Sequence, residues 1–215
     1  MKSTLLNMTA VLFGITLVAS AGVGVVNLIT EEPIAQAKAA ATTAALNEVL
    51  PEFDETAQQE LTIDELPITV YTATTGGAVT GYAVQTMTKN GFGGIVRLMV
   101  GFTPAGEVYN VNVLEQSETP GLGTKMADEG NPLITSFKGK NPGDMQLAVK
   151  KDGGDVDALT AATISSRAYV DAMARAYTAF KTVSAATTAD ATADAASGAT
   201  QPANEPEAQE GGQNE

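Results

Sequence analysis

From Ser3 to Thr30 the chain carries no charged side chain. Leu5–Ile29 is dominated by Leu, Val, Ile, Ala, Gly and Phe. About 20 apolar residues of helix cross the hydrocarbon core of a bilayer, so this run is long enough to span one. Such a run leaves two outcomes. It is kept as a membrane anchor, or it is cleaved as a signal peptide at the small residues Val18-Ala19-Ser20-Ala21. The apolar run continues to Ile29, past the length of a signal-peptide core, which favours the anchor. Lys2 precedes it, and Glu31 and Glu32 follow. That asymmetry places the N-terminus in the cytoplasm and the body outside. Asn7 and the glycines at 14, 22 and 24 would allow a second membrane helix to approach closely.

The rest of the chain divides by composition. After Pro33 the alanine-rich stretch Ile34–Leu50 reads as a helix, ended by Pro51. Residues 52–66 are acidic and read as an irregular connector, so 1–30 is expected to be the anchor and 31–66 a helical and acidic connector. Residues 67–184 then read as one α+β domain with an antiparallel sheet and flanking helices. Its strands are expected at Ile68–Thr74, Ala78–Thr88, Gly94–Phe102, Glu107–Leu114 and Met145–Val149, with Thr103-Pro-Ala-Gly106 as a hairpin turn. A short helix is expected around Phe137. Val170, Met173, Tyr177 and Phe180 recur at spacings of three and four, one face of a further helix. Ser165 or Ser166 is the expected N-cap of that helix. After Val183 no aliphatic residue larger than Ala occurs. The tail 185–215 therefore reads as disordered.

The net charge of −13 is uneven. Residues 31–66 hold nine acidic side chains and one Lys, residues 188–215 hold six and no base, and 67–187 hold ten of each sign. No basic stripe appears, so nucleic acid is not an expected partner. Cys, His and Trp are all absent. That excludes disulfides, thiolate iron–sulfur clusters, c-type haem, a zinc site of the usual ligands and a Ser-His-Asp triad. No metal ligands or catalytic residues are assigned, and carboxylate hydrolysis has no motif in its favour. A redox role here needs an organic cofactor.

Two motifs point to one. Asp157-Ala158-Leu159-Thr160-Ala161-Ala162-Thr163 precedes the helix just described, so Thr163 sits beside a helix N-terminus, where a phosphate is favoured. The bland reading is a hydroxyl-rich loop capping a helix. About forty residues earlier stands Glu118-Thr119-Pro120-Gly121-Leu122-Gly123-Thr124-Lys125, a tight turn that lets backbone N–H groups approach a ligand. The first segment resembles the sequence at which a flavin transferase joins FMN to threonine through a phosphoester, with Ala161 standing where Gly is usual. The second resembles the Pro-Gly loop of the same FMN-binding domain. Gly91-Phe92-Gly93-Gly94 is similar to a further loop of that family.

The pair and its spacing resemble the G subunit of the Rnf-type ion-translocating ferredoxin:NAD oxidoreductase, a relative of the C subunit of the sodium-pumping NADH:quinone reductase. The resemblance spans about residues 1–185. It implies a single-pass protein of the bacterial inner membrane, with an extracytoplasmic domain that relays electrons through covalent FMN on Thr163. Thr160 and Ser165 would bond the phosphate region. Glu118, Thr119 and the segment Gly121, Leu122, Gly123, Thr124 and Lys125 would line the flavin, with Lys125 adding charge complementarity. Asp157 would be read by the flavin transferase, a partner during maturation. The lasting partners would be the other subunits of the complex and the membrane. No Gly-rich dinucleotide fingerprint appears, so NAD chemistry is not expected of this chain. Two alternatives stand beside this reading: a free-standing anchored flavoprotein, and a flavin-free binding module of the same fold. The tail segment Asp194-Ala195-Ala196-Ser197-Gly198-Ala199-Thr200 also fits the acceptor pattern, with Gly in place, and makes Thr200 an alternative acceptor.

Overall fold

A computed structural model of the protein describes residues 2–197. The apolar run and the alanine-rich stretch form one helix, α1, Lys2–Val49, with Pro33 inside it. This corrects the expectation of a new helix after Pro33. Proline removes one backbone donor and bends a helix. The alanines at 35, 37, 39, 40 and 41 are the strongest helix formers, and they carry α1 on. Among the described residues α1 is the one helix long and apolar enough to cross a membrane, and its most apolar window is wholly exposed.

Five strands follow in chain order as an antiparallel meander. They are β1 Glu55–Ile63, β2 Leu66–Thr75, β3 Ala78–Thr88, β4 Val96–Phe102 and β5 Val108–Glu115. β1 corrects the reading of 52–66 as irregular. It pairs along its whole length with β2, and the expected boundary at residue 67 falls inside their hairpin. Its turn is Asp64-Glu65, both with positive φ, the geometry of a two-residue hairpin loop. Met145–Val149 is not a strand. Val149 makes only an isolated bridge to Val156.

Beyond the sheet come α2, Pro132–Phe137, capped by the Asn131 side chain, and α3, Thr163–Ser197. α3 lies on one face of the sheet. Its Tyr169, Met173 and Phe180 pack among Val84, Leu98, Val100 and Phe102 in the main core. The Phe180 ring lies 4.9 Å from Phe102 and 5.4 Å from Tyr82. On the opposite face the last turns of α1 pack Ala45, Leu46, Val49 and Leu50 against Ala73, Ala83 and Met99. Successive strand residues point to opposite faces, so Ala83 and Val84, or Met99 and Val100, serve different helices. α3 also continues through residues expected to be disordered, as far as Ser197. That stretch is alanine-rich, a composition that favours helix. Thr200, with the other residues from 198 to 215, lies outside the described residues.

Two loops emerge at one end of the sheet, where Thr88 pairs with Val96 and Arg97 with Glu115. They are residues 89–95 and 116–122, and they carry the glycine loop and the Pro-Gly loop.

Candidate functional site

α3 starts at Thr163, ahead of both expected caps, Ser165 and Ser166. Its first helical bond runs from the Ser166 N–H to the Ala162 carbonyl, at 3.0 Å. The N–H groups of Thr163, Ile164 and Ser165 precede that bond, so they are the ones a helix start leaves for an outside acceptor. Ser166 works behind them. Its hydroxyl accepts from Leu159 N–H and donates to the Ala162 carbonyl, both at 2.9 Å, which closes the turn that delivers Thr163. Within that turn Ala161 has φ +60°, a conformation that suits glycine.

Glu118 joins the three segments. It is buried, and it accepts from the Gly93 N–H at 3.2 Å and from the Ser165 hydroxyl at 2.5 Å. Glycine is required where these parts meet. A Cβ on Gly93 would fall 1.7 Å from the Ser117 carbonyl oxygen, and one on Gly123 would fall 2.6 Å from Ser165 Oγ. A hydrogen-bonded carboxylate on a helix-start serine and a loop N–H thus ties loop 89–95, loop 116–122 and α3 into one wall.

That wall encloses an open cleft of about 300 Å³ lined by Phe92, Thr119, Leu122, Gly123, Ala161, Ala162, Thr163, Ile164 and Ser165. Thr119, Leu122, Gly123, Thr163 and Ser165 therefore come together as expected. Thr160, Glu118, Gly121, Thr124 and Lys125 do not line it. Glu118 lies beneath the surface as a cross-link. Lys125 is exposed, away from the lining. Much of the Pro-Gly loop's backbone is turned inward, though among the described residues no acceptor takes the Thr119 and Gly123 N–H groups, both on residues that line the cleft. Gly121 N–H bonds Thr124 Oγ1, Leu122 and Thr124 N–H bond the Thr119 carbonyl, and Lys125 N–H bonds the Leu122 carbonyl. The loop contributes shape and the N–H groups of Thr119 and Gly123, and the start of α3 contributes its own.

Four lining residues, Phe92, Ala161, Ala162 and Ile164, were not among the expected site residues, and Phe92 is the largest of them. It is 67 % exposed, the most exposed large apolar side chain outside α1, and its signal was an aromatic held among glycines. Leu122 and Ile164 are also exposed. Apolar side chains over an anion-attracting helix start suit a ligand with a flat apolar ring at one end and a phosphate at the other, and FMN has both. The cleft is at the small end of ligand pockets, so it covers only part of such a molecule.

Away from the cleft, Asp157 pairs with Lys150 at 2.8 Å, and its N–H bonds the Ser136 hydroxyl. Arg167, in the second turn of α3, grips Asp152 at 2.7 and 2.8 Å, and these bonds hold the Asp152 carboxyl below its usual range. Burial pushes the Tyr169 phenol well above its ordinary value.

Comparison with known proteins gives the same picture. The FMN-binding domain family matches residues 91–178, which hold both loops and the start of α3. The G subunit of the ion-translocating oxidoreductase complex of Shewanella piezotolerans is 32 % identical over 186 residues, covering 80 % of this chain and 88 % of that protein. The corresponding G subunit of Shewanella loihica is 35 % identical, with 81 % and 89 % covered, and that of Pseudomonas aeruginosa is 35 % identical, with 74 % and 82 % covered. With most of both chains aligned at this identity, and with the FMN-binding domain placed over the cleft, the chain belongs to the G-subunit family of ion-translocating oxidoreductase complexes.

Proposed function

We propose that this protein relays electrons through an FMN joined by phosphoester to the Thr163 hydroxyl. The chain is a subunit of an ion-translocating oxidoreductase complex with an FMN-binding domain. The finer reading rests on one observation: Thr163 is the first residue of α3 and lines the cleft beside the free N–H groups of the helix start. Those groups and the helix dipole would hold the phosphate. Phe92, Leu122 and Ile164 would flank the ring. When bound, FMN supplies one- and two-electron redox chemistry that no side chain of this protein provides.

The openness of the cleft supports a covalent link. A shallow site retains a ligand poorly, and a tether removes the cost of recapturing it. The domain would face the extracytoplasmic side, with α1 as the single membrane span and the N-terminus in the cytoplasm. A flavin transferase would read the Asp157–Thr163 turn, of which Asp157, Thr160 and Ala161 are exposed, before the protein joins the complex.

The test is in-gel flavin fluorescence after denaturation, on protein co-expressed with a flavin transferase. Wild type and Thr200→Val should fluoresce, and Thr163→Val should not. Signal that survives in Thr163→Val but vanishes in Thr200→Val would move the link to the tail. A dark wild type beside a labelled control substrate would favour the flavin-free binding module.

A further inference from the structure

The FMN-binding domain is joined to α1 by a packed seam. Residues 31–41 of α1 are exposed, and from Ala45 to Leu50 the helix is clamped to the sheet. Gly101 lets the clamp close. A Cβ there would stand 1.6 Å from the Val49 carbonyl oxygen. Glu48 adds two polar ties: its carbonyl accepts from Asn110 at 3.3 Å and its carboxylate from Asn112 at 2.6 Å. No break in helix separates this clamp from the apolar half.

The direction of α1 matters as much as its continuity. Val49 meets Gly101, near the β4 end that pairs Phe102 with Val108. Lys38 and Thr42 share a wedge with Arg97 and Glu115, at the other end. Followed back toward its N-terminus, α1 therefore leaves the domain past the end where loops 89–95 and 116–122 emerge. α3 begins at that same end, since Ser165 bonds Glu118, and runs toward Phe102, which its Phe180 meets. The cleft and the apolar half of α1 thus lie on one side of the domain. From Lys38 to Thr30 the helix rises only about 12 Å.

We infer that α1 is a rigid strut that holds the Thr163 cleft toward the bilayer, at one height and one rotational setting. This rests on the reading of α1 as a membrane span and of the cleft as the flavin site. The partner that fits is a redox group of a membrane-embedded protein at the bilayer surface. The strut presents the cleft to it without a search by a tethered domain. Pro33 does not interrupt the strut, because the residues on both sides of it remain helical.

Two measurements test this. The chain has no cysteine, so Ala21→Cys with Gln59→Cys gives the only pair of spin-label sites in the full chain in lipid nanodiscs. Pulsed electron resonance should show one narrow distance distribution, and a Gly-Ser-Gly-Ser insertion after Ala35 should broaden it. An uninterrupted chain as broad as that insertion overturns the strut. In the assembled complex, one alanine inserted after Ala35 turns the domain by about 100°. Electron transfer should then fall by about tenfold or more, as misplacing reacting groups does. Flavin fluorescence per chain should stay unchanged, because Thr163 is untouched. Wild-type transfer in that variant, with the flavin attached, overturns the strut alone. A flavin absent from Thr163 in the parent protein overturns the site reading instead.

Discussion

The two faces of the sheet are covered by helices held in different ways. Under α3 the packing is made of large side chains: Phe102, Tyr169, Met173 and Phe180, all nearly or fully buried. Under α1 the alanines Ala45, Ala73 and Ala83 are mixed with Leu46, Val49, Leu50 and Met99, the cluster is smaller and has no fully buried aromatic ring, and the helix backbone closes over Gly101. The α3 face is a core in the usual sense, where stability scales with buried apolar area. The α1 face buries less and depends on the absence of a side chain. Consecutive residues of β4, Gly101 and Phe102, serve the two faces, so substitutions one position apart separate the two kinds of attachment.

The largest effect belongs to the α3 face. Phe102→Ala should cost about 3–5 kcal/mol, the range for a fully buried aromatic. Urea unfolding of the whole protein should show a matching fall in midpoint. A loss under about 1 kcal/mol would mean that this face is not the main core.

Gly101→Ala comes next, and its signature differs. Added volume at a tight contact costs about 1–3 kcal/mol. The damage should appear at the seam: proteolysis within 31–50 should speed up while α3 stays protected. If both helices become labile together, the seam is not an independent attachment. The spin-label pair should broaden in the same variant.

Much of this arrangement is written in the sequence, and the exceptions have physical causes. β3 appears where its alternating residues and the Gly76-Gly77 turn place it. β4 and β5 lie within two residues of expectation, because Thr103-Pro-Ala-Gly106 marks the hairpin between them. β1 was not legible. Glu55 through Glu60 are exposed, and an edge strand held by backbone bonds needs no apolar alternation. Met145–Val149 has an apolar pattern but no neighbouring strand to use it. That Thr163 and the Pro-Gly loop share one cleft follows from two motifs that resemble a family pattern. The role of Glu118 was not legible, since its partners Gly93 and Ser165 are 25 and 47 residues away. Nothing in a linear reading separates a carboxylate that touches a ligand from one that braces the wall behind it.

That distinction gives a smaller prediction. Glu118→Gln keeps the volume but removes the charge that both bonds use, which should cost about 1–2 kcal/mol. As a brace, Glu118 should matter to stability in the flavin-free Thr163→Val background as much as in the parent. A cost seen only when flavin is attached would make Glu118 a ligand contact.

The smallest effect is at Ala161, and it runs the other way. A non-glycine residue at φ +60° carries a strain of about 1–2 kcal/mol. Glycine relieves that strain but gives the unfolded chain more freedom, worth about 0.4–1 kcal/mol. Ala161→Gly should therefore stabilise the domain by about 0.5 kcal/mol, a rise in Tm of about 2 °C. This is a turn on the α3 side, where α3 begins, so the gain should appear in global melting and leave the α1 seam unchanged. A lowered Tm would show that the Ala161 methyl, which lines the cleft, contributes more by packing than its backbone loses by strain. The glycine usual at this position in the family would then be there for access of the flavin or its transferase to Thr163, and the rate of flavin attachment, not stability, would be the property that Ala161→Gly improves.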